Sequence, residues 1–155
     1  MSREIETTRF GRVEIDEETI IRFPDGLLGF GQVQEYVIID HPGPMGVQWL
    51  QALDVPELAF VVIDPLLFKS DYLVQLHAQE MERIGLDDLA KGKVMVILVV
   101  PKDPRKITAN LQGPLVLNPE KRLGMQVVLP HDRYTTKHLV FGEDGDMERR
   151  AHGNA

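Results

Sequence analysis

Apolar and polar side chains alternate along most of this chain. Between positions 107 and 117 the odd positions hold Ile, Ala, Leu, Gly, Leu and Leu, whereas positions 108, 110 and 112 hold Thr, Asn and Gln. Because successive side chains of a β-strand point to opposite faces, this alternation predicts a half-buried strand. Gly113 and Pro114 interrupt the pattern, and we expect the strand to bend or bulge there.

A second alternating segment follows a polar turn over 118–122. Met125, Val127 and Leu129 resume the apolar positions after it. Two alternating segments joined by a short turn predict an antiparallel hairpin.

The first two-thirds of the chain contains further short apolar or alternating segments. Turn-forming residues separate them, including the acidic turn 16–18, the Pro42-Gly43-Pro44 segment and Pro56. Many short strands divided by Gly/Pro turns predict a mainly β fold, a small antiparallel barrel or sandwich. The predicted strands are 12–16, 20–23, 36–40, 47–53, 58–64, 72–76 and 94–100.

One segment departs from the period of two. Met81 and Ile84 are three residues apart within 79–84, and Gly85 follows as a helix-terminating residue. This spacing predicts one short surface helix. Asp87 and Asp88 then favour the start of a second turn.

The C-terminal residues from Gly142 show no apolar pattern. At 155 residues the chain has the length of one domain. We therefore predict a single β domain over 1–141, followed by a mobile C-terminal tail over 142–155.

Composition indicates a soluble intracellular protein. The chain contains no cysteine, and its charged N-terminus lacks the apolar core of a signal peptide. The longest apolar run, Val94–Val100, is far shorter than the about 20 residues that span a bilayer. We expect a cytoplasmic location and no membrane association.

The net charge of −7 disfavours direct binding to nucleic acid, because phosphate backbones are bound by surplus Lys and Arg. A basic protein partner would be attracted instead. Acidity also maintains solubility, and charge alone leaves both interpretations open.

Catalytic motifs are missing from the sequence. Ser2 lies near the N-terminus and Ser70 has no nucleophile-elbow context. Paired carboxylates such as Asp87 and Asp88 lie in polar turns, and no glycine-rich phosphate loop occurs. We expect no enzymatic activity.

Histidines are the only potential metal ligands besides carboxylates. Asp40-His41 and His131-Asp132 are adjacent pairs, and His138 follows. Neighbouring side chains on an extended segment diverge, and no H-x-x-x-H spacing occurs. We expect neither a metal nor a cofactor.

Several polar or aromatic residues lie in apolar context: Trp49, Asn110, Gln112 and Asp64. Each has a structural interpretation, with Trp49 in the core, Asn110 bonded to the backbone and Asp64 capping a turn. The alternative is a protein-binding face, because aromatic and amide side chains suit interface centres.

Two glycine–proline motifs flanked by apolar side chains are the most specific features. They are Phe23-Pro24-Asp25-Gly26-Leu27-Leu28-Gly29-Phe30 and Asn110-Leu111-Gln112-Gly113-Pro114-Leu115-Val116. With Trp49-Leu50-Gln51, Ala59–Pro65, Asp71-Tyr72 and Gly124-Met125-Gln126 between and after them, the chain resembles the flagellar assembly factor FliW family over residues 8 to 141.

The resemblance implies a small antiparallel β-barrel-like domain without enzymatic activity. Family members bind flagellin in the cytoplasm, and they bind and antagonise CsrA, a small RNA-binding protein that blocks translation of flagellin mRNA. Flagellin translation is thereby coupled to flagellin secretion. A monomer with these two partners is the expectation; an unrelated β-barrel module that binds protein or oligosaccharide is the alternative.

Candidate contact residues follow from charge and exposure. We expect flagellin to contact the apolar loop at Leu27, Leu28 and Phe30. We expect the basic CsrA to contact exposed acidic side chains: Asp16, Glu17, Glu18, Asp71, Glu80 and Glu82.

Overall fold

The computed structural model describes residues 1–40, 46–130 and 132–141. Within these ranges the strands are β1 Ser2–Thr7, β2 Gly11–Asp16, β3 Ile21–Arg22, β4 Glu35–Asp40, β5 Gln48–Ala52, β6 Ala59–Ile63, β7 Lys93–Val99, β8 Thr108–Ala109, β9 Leu115–Asn118, β10 Leu123–Gln126 and β11 His138–Leu139, and the helix is α1 Ala78–Arg83. The segment 42–44 and the tail 142–155 lie outside the described residues.

Seven strands close into a barrel in the order β7, β6, β5, β4, β3, β10 and β9, with β9 returning to β7. Neighbouring strands are antiparallel, except β3 and β10, which run parallel through Arg22 and Leu123. Strands β8 and β11 extend the sheet beside β7, and β1 and β2 form a separate hairpin. The mainly β, barrel-like fold with one short helix is thus confirmed.

The predicted strand over 107–117 is interrupted. Leu98 of β7 pairs with Ala109 of β8, whereas Met95 pairs with Leu115 of β9. The register between these two pairings shifts by three residues across 110–114, the segment between two strands that both pair with β7. A bulge at Gly113-Pro114 was expected. The Asn110 N–H still donates to the Ile97 carbonyl of β7 at 2.9 Å, so the interruption begins at Leu111, two residues before Gly113.

The barrel interior is filled by alternate side chains of its strands. Tyr36, Leu50, Val62, Met95 and Leu115 belong to this interior cluster. A fully packed interior excludes water and stabilises the closed sheet.

Other segments cover much of the outer face of the barrel. Ile5 and Ile15 of the β1–β2 hairpin pack against Val37 of β4. The segments that precede and follow α1 pack on Val96 of β7 and Val116 of β9.

Strand β9 is therefore buried on both faces. All four of its residues are buried, including Asn118, the first residue of the predicted polar turn. The Asn118 side-chain amide donates a hydrogen bond to the Ile84 carbonyl at 2.8 Å. The half-buried prediction was wrong here because the chain before β7 folds back over the strand.

The predicted strand over 72–76 was also wrong. Tyr72 and Val74 are buried and Leu73 is exposed, so the alternation is real. No strand among the described residues pairs with this segment; the Leu73 N–H donates to the Tyr134 hydroxyl at 3.1 Å instead. Alternating burial reports which side faces the core, but a strand also needs a neighbouring backbone.

The predicted helix is confirmed as α1. At its end the Leu86 N–H donates to the Met81 carbonyl, and the Gly85 N–H donates to the Glu82 carbonyl. These two bonds form a Schellman motif, and Gly85 has the positive φ of 69° that it requires. No helix in the described ranges is long and apolar enough to cross a membrane.

The barrel interior leaves no room beside Gly124. A Cβ added there would lie 2.7 Å from the Phe23 ring and 2.8 Å from a Leu117 methyl group. We expect Gly124→Ala to lower the free energy of unfolding by about 1–3 kcal/mol through overpacking. Urea denaturation measures the change.

Gly31→Ala is the matched control, because its added Cβ would meet only the Asp25 carbonyl oxygen at 3.6 Å. We expect this variant to stay within about 0.5 kcal/mol of the unmutated chain. If the two variants had equal urea midpoints of unfolding, the tight packing around Gly124 would be contradicted.

Candidate protein-binding surface

The loop over 23–30 has a backbone shape that requires glycine. Gly26 has a φ of 66°, and its N–H donates to the Phe23 carbonyl at 2.8 Å. A Cβ at this position would lie 2.4 Å from the Phe30 carbonyl oxygen. Because backbone cannot move aside as a flexible side chain can, position 26 accepts only glycine.

The tip of the loop is a tight turn over Leu27–Phe30. The Phe30 N–H donates to the Leu27 carbonyl at 2.7 Å, and Gly29 has the positive φ of 85° that the third residue of a type II turn adopts. The turn leaves Leu28 62% exposed, whereas Leu27 is only 3% exposed and packs in the barrel interior. Leu27 therefore anchors the loop and is not available as a surface contact, which corrects the expectation for this residue.

Phe30 connects the surface with the barrel interior. Its ring, 40% exposed, packs edge-on against Phe60 at 5.4 Å between centroids. Phe60 contacts Tyr36, and Tyr36 packs edge-on against the buried Phe23. Burial raises the pKa of Tyr36 to about 12. The four rings form a continuous aromatic series that fixes the position of Phe30.

The side chain of Gln126 joins the two glycine–proline motifs. Its Oε1 accepts a hydrogen bond from the Leu28 N–H at 2.8 Å, and its Nε2 donates to the Gly113 carbonyl at 2.9 Å. The Gly113 N–H in turn donates to Asn110 Oδ1 at 2.9 Å, which confirms the backbone-bonding interpretation of Asn110. The exposed tip is thereby fixed to the bend before β9.

A carboxylate–guanidinium contact holds the other side of the loop. Asp25 pairs with Arg83 in the last turn of α1, and both side chains are more than half exposed. Exposed pairs contribute little to stability, so this contact serves mainly to orient the loop against the helix.

The acidic turn after β2 is a capped structure. Asp16 Oδ1 accepts a hydrogen bond from the Glu18 N–H at 2.9 Å and so begins the 3-10 turn Glu17–Thr19. Asp16 is therefore engaged in the fold, while Glu17 and Glu18 are exposed. In the same way Asp64 caps the turn Pro65–Leu67, as expected from the sequence.

A basic depression of about 410 Å³ adjoins this acidic turn. The Arg122 guanidinium donates to the Glu17 carbonyl at 3.0 Å. The cations around the depression are Arg3, Arg22, Lys121 and Arg122. The sequence indicated an acidic patch at 16–18, but the tertiary fold places it beside cations from distant positions.

The other acidic candidates differ in whether their carboxylates already have partners within the fold. Asp71 pairs with Lys69 at 2.7 Å, and the hydrogen bond from Lys69 lowers the pKa of Asp71. Glu80 Oε1 accepts from the His77 N–H at 2.9 Å as part of a capping box. Glu82 is exposed and forms no ion pair with the described residues.

The turn between β9 and β10 brings two of these acidic regions to one end of the molecule. Arg122 in this turn bonds Glu17, and Lys121 lies against Gly85 at the end of α1. Glu18 and Glu82 therefore flank the same turn. The structure gives no contact that brings Asp71 to this group.

Sequence reasoning missed a groove on the outer face of β5, β6 and β7. Trp49, for which the sequence left a core position and a protein-binding face as alternatives, is only partly buried and lines the groove. The Arg9 guanidinium stacks over its indole ring at 4.1 Å from the centroid. The single tryptophan in the sequence was a signal of this surface, whereas nothing in the sequence around Arg9 indicated that it would lie there.

No group of three potential metal ligands occurs within residues 1–40, 46–130 and 132–141. His138 stacks against Phe68 at 6.0 Å between ring centroids. The candidate ligands His41 and His131 lie outside the described residues.

Comparisons with known proteins agree with this geometry. A family described as "FliW protein" matches residues 4–140. The "Flagellar assembly factor FliW" of Geobacter sulfurreducens is 42% identical over 90% of this chain and 87% of its own length, and that of Alkaliphilus metalliredigens is 37% identical over 95% and 91%. A solved structure, "Crystal structure of the flagellar assembly factor FliW", superposes with a TM-score of 0.85 at 35% identity, covering 91% of this chain and 99% of the other.

The Gln126 bridge gives a direct test of the loop anchorage. We expect Gln126→Ala to speed hydrogen exchange of the Leu28 amide, because that N–H loses its acceptor. The two lost hydrogen bonds should cost about 1–3 kcal/mol of unfolding free energy in total. Amide exchange by NMR and urea denaturation measure the two effects.

Gln112→Ala is the control for this experiment. The Gln112 amide makes one long hydrogen bond, 3.4 Å to the Leu129 carbonyl, and does not contact Leu28. Leu28 exchange should be unchanged in this variant. An equal acceleration in both variants would show that Gln126 does not hold the loop.

Proposed function

The chain belongs to the FliW family of flagellar assembly factors, and from this membership we propose that it binds flagellin and also binds and antagonises the translational regulator CsrA. It acts in the cytoplasm as a non-enzymatic monomer and uses no cofactor and no direct nucleic-acid contact. Flagellin and CsrA binding together couple flagellin translation to secretion. We retain the division into a domain over 1–141 and a tail over 142–155 as part of this proposal.

The exposed tip of the 27–30 turn is the observation that best supports a protein-binding role. Leu28 presents an apolar side chain to solvent, although its backbone is fixed by Gln126 and by the turn. A side chain held in place before binding loses little conformational entropy when a partner covers it. We assign this tip, with Phe30 beside it, to flagellin.

The exposed acidic side chains support a separate site for CsrA. Glu18 and Glu82 flank the β9–β10 turn and have no ion pair among the described residues. Their charges are therefore available to a basic partner. Glu17 belongs to the same region, whereas Asp16, Asp71 and Glu80 also have structural partners and contribute mainly to the surrounding negative potential.

Leu28→Ser tests the flagellin site. Losing the apolar contact should weaken flagellin binding by about 1.5 kcal/mol, which corresponds to about a tenfold higher Kd. Isothermal titration calorimetry measures the change, and circular dichroism establishes that the variant is folded.

Leu73→Ser is the matched control, because Leu73 is 53% exposed and its backbone N–H is bonded to Tyr134, outside the 27–30 turn. Its Kd should stay within about twofold of the unmutated chain. A folded Leu28→Ser variant that binds flagellin normally would contradict the assignment.

Charge reversal tests the CsrA site. Glu18→Lys and Glu82→Lys should each weaken CsrA binding at low salt, and the loss should shrink as added salt screens exposed charges. Glu57→Lys makes the same charge change at the exposed β5–β6 turn and serves as the control. Equal effects of all three reversals would indicate a response to net charge alone and no localised site.

A further inference from the structure

The basic depression beside the β9–β10 turn has no role in the function proposed above. It has a volume of about 410 Å³, and Ile20 and Leu123 contribute apolar side chains to its lining. Its charged lining consists of four cations and two carboxylates: Arg3, Arg22, Lys121, Arg122, Glu17 and Glu35. The lining therefore has a formal charge of +2, although the whole chain carries −7.

Two guanidinium groups in the basic depression are oriented by neutral acceptors. Arg122 Nη1 donates to the Glu17 main-chain carbonyl at 3.0 Å, and Arg22 Nη2 donates to Gln34 Oε1 at 3.2 Å. The Arg22 N–H also donates to the Arg122 carbonyl at 2.9 Å, so the backbone joins the two residues. A neutral oxygen fixes the direction of a guanidinium without cancelling its charge, and each guanidinium has further N–H donors for a ligand.

Most of the positive charge in the basic depression is unpaired. Arg3 lies 3.8 Å from the carboxylate of Asp54. Arg22, Lys121 and Arg122 form no ion pair with any residue that the structure describes. A bound anion would neutralise charges that the fold leaves unpaired, and the oriented guanidinium groups would lose little conformational entropy on binding it.

The backbone of Arg122 gives an independent reason to assign a role to its side chain. Arg122 has a φ of 55° and is the single non-glycine residue with a positive φ in the described ranges. A residue with a side chain adopts this left-handed conformation at a cost, whereas glycine adopts it freely. The chain thus places a guanidinium in the basic depression from a strained position, which is typical of functional sites.

The arrangement of charges favours a short acidic peptide as the occupant. Guanidinium groups bind carboxylates through paired N–H donors. A nucleic-acid strand is disfavoured, because its row of phosphates would be repelled by Glu17 and Glu35 in the lining and by Glu18 beside it. A short peptide can place two carboxylates on the cations and continue with neutral residues.

We propose that the basic depression binds a short acidic segment of a partner protein, whose carboxylates pair with Arg22 and Arg122. The identity of the partner, CsrA, rests on the function proposed above, because Glu18 and Glu82 flank the turn that carries Arg122. The CsrA site then contains both signs of charge: its carboxylates meet a basic part of the partner, and the basic depression meets an acidic part. Such an arrangement fixes the orientation of the partner.

The direction of a charge effect tests this proposal. Arg22→Glu makes the chain more negative, so attraction by net charge alone predicts tighter binding of the basic CsrA. An acidic segment in the basic depression predicts the reverse, with a Kd raised about tenfold at low salt. Arg122→Gly should raise the Kd by about threefold or more, because it removes a guanidinium while glycine keeps the backbone of the turn. Calorimetry measures both, and circular dichroism establishes that the variants are folded.

Lys102→Glu is the matched control. Lys102 is exposed, has no ion pair among the described residues and follows the end of β7. The β9–β10 turn lies at the opposite end, where Lys93 at the beginning of β7 pairs with Leu117. The CsrA Kd of this variant should stay within about twofold of the unmutated value. If Lys102→Glu weakens binding as much as Arg22→Glu does, the proposal is wrong.

A second titration examines the basic depression without CsrA. A tetraglutamate peptide, added to the isotope-labelled full chain at low salt, should shift the NMR amide signals of Arg22 and Leu123. Arg22→Glu should abolish the shift of Leu123, and a tetraglutamine peptide should leave all these signals unchanged.

The outcomes separate the basic depression from the proposed function. If tetraglutamate binds at these residues but CsrA does not bind the unmutated chain, the acidic-segment site stands and the CsrA function is wrong. If CsrA binds but neither Arg22→Glu nor Arg122→Gly weakens it, or tetraglutamate shifts no signal, the site is wrong and the CsrA function stands. If a short RNA shifts the same signals and tetraglutamate does not, the occupant is a nucleic acid and the proposal is overturned.

Discussion

Pairing of β9 with β7 closes the barrel, and the remaining features of the structure depend on that closure. The pairing satisfies backbone groups that would otherwise form two free sheet edges. It also places Leu115 and Leu117 inside the barrel and Val116 outside it. Closure is possible because the pairing register with β7 shifts by three residues across 110–114. Before the shift the chain pairs with the end of β7 as β8, and after it the chain pairs with the beginning of β7 as β9.

The same segment connects architecture with the candidate binding surface. Gly113 lies in it, and the Gln126 side chain bridges the Gly113 carbonyl and the Leu28 N–H. The two glycine–proline motifs are therefore parts of one hydrogen-bonded unit. Gly26 lies so close to the Phe30 carbonyl that no side chain fits there, Gly29 supplies the positive φ of the turn, and Gln126 ties that bend to the barrel. The result is an exposed leucine on a backbone with little freedom.

Electrostatics follow from the tertiary fold more than from composition. Net charge indicated an acidic protein, yet the turn at 16–18 lies beside a basic depression lined by Arg22 and Arg122. The carboxylate of Asp16 caps its own turn, whereas Glu18 and Glu82 keep free charge on either side of the β9–β10 turn. Local charge thus depends on which distant residues the barrel brings together.

Prediction from the sequence succeeded where a local pattern has one structural solution. Alternation identified most strands, and the spacing of Met81, Ile84 and Gly85 identified α1. It failed at 72–76, where an alternating segment found no neighbouring strand, and at Asn118, where a polar side chain is buried. In the candidate site the exposed Leu28 and Phe30 were predicted, whereas the burial of Leu27 was not. The groove under Arg9 was also missed, because its residues come from four separate segments.

The sequence by itself determined the β class, the short helix, the glycine-dependent bends and the family, since each of these depends on residue types at short spacing. Only the tertiary structure decided that the two bends are joined by Gln126, that β9 is buried on both faces, and which carboxylates remain free. The reason is physical: hydrogen bonds and burial between residues about 100 positions apart depend on barrel closure, and no local pattern encodes them.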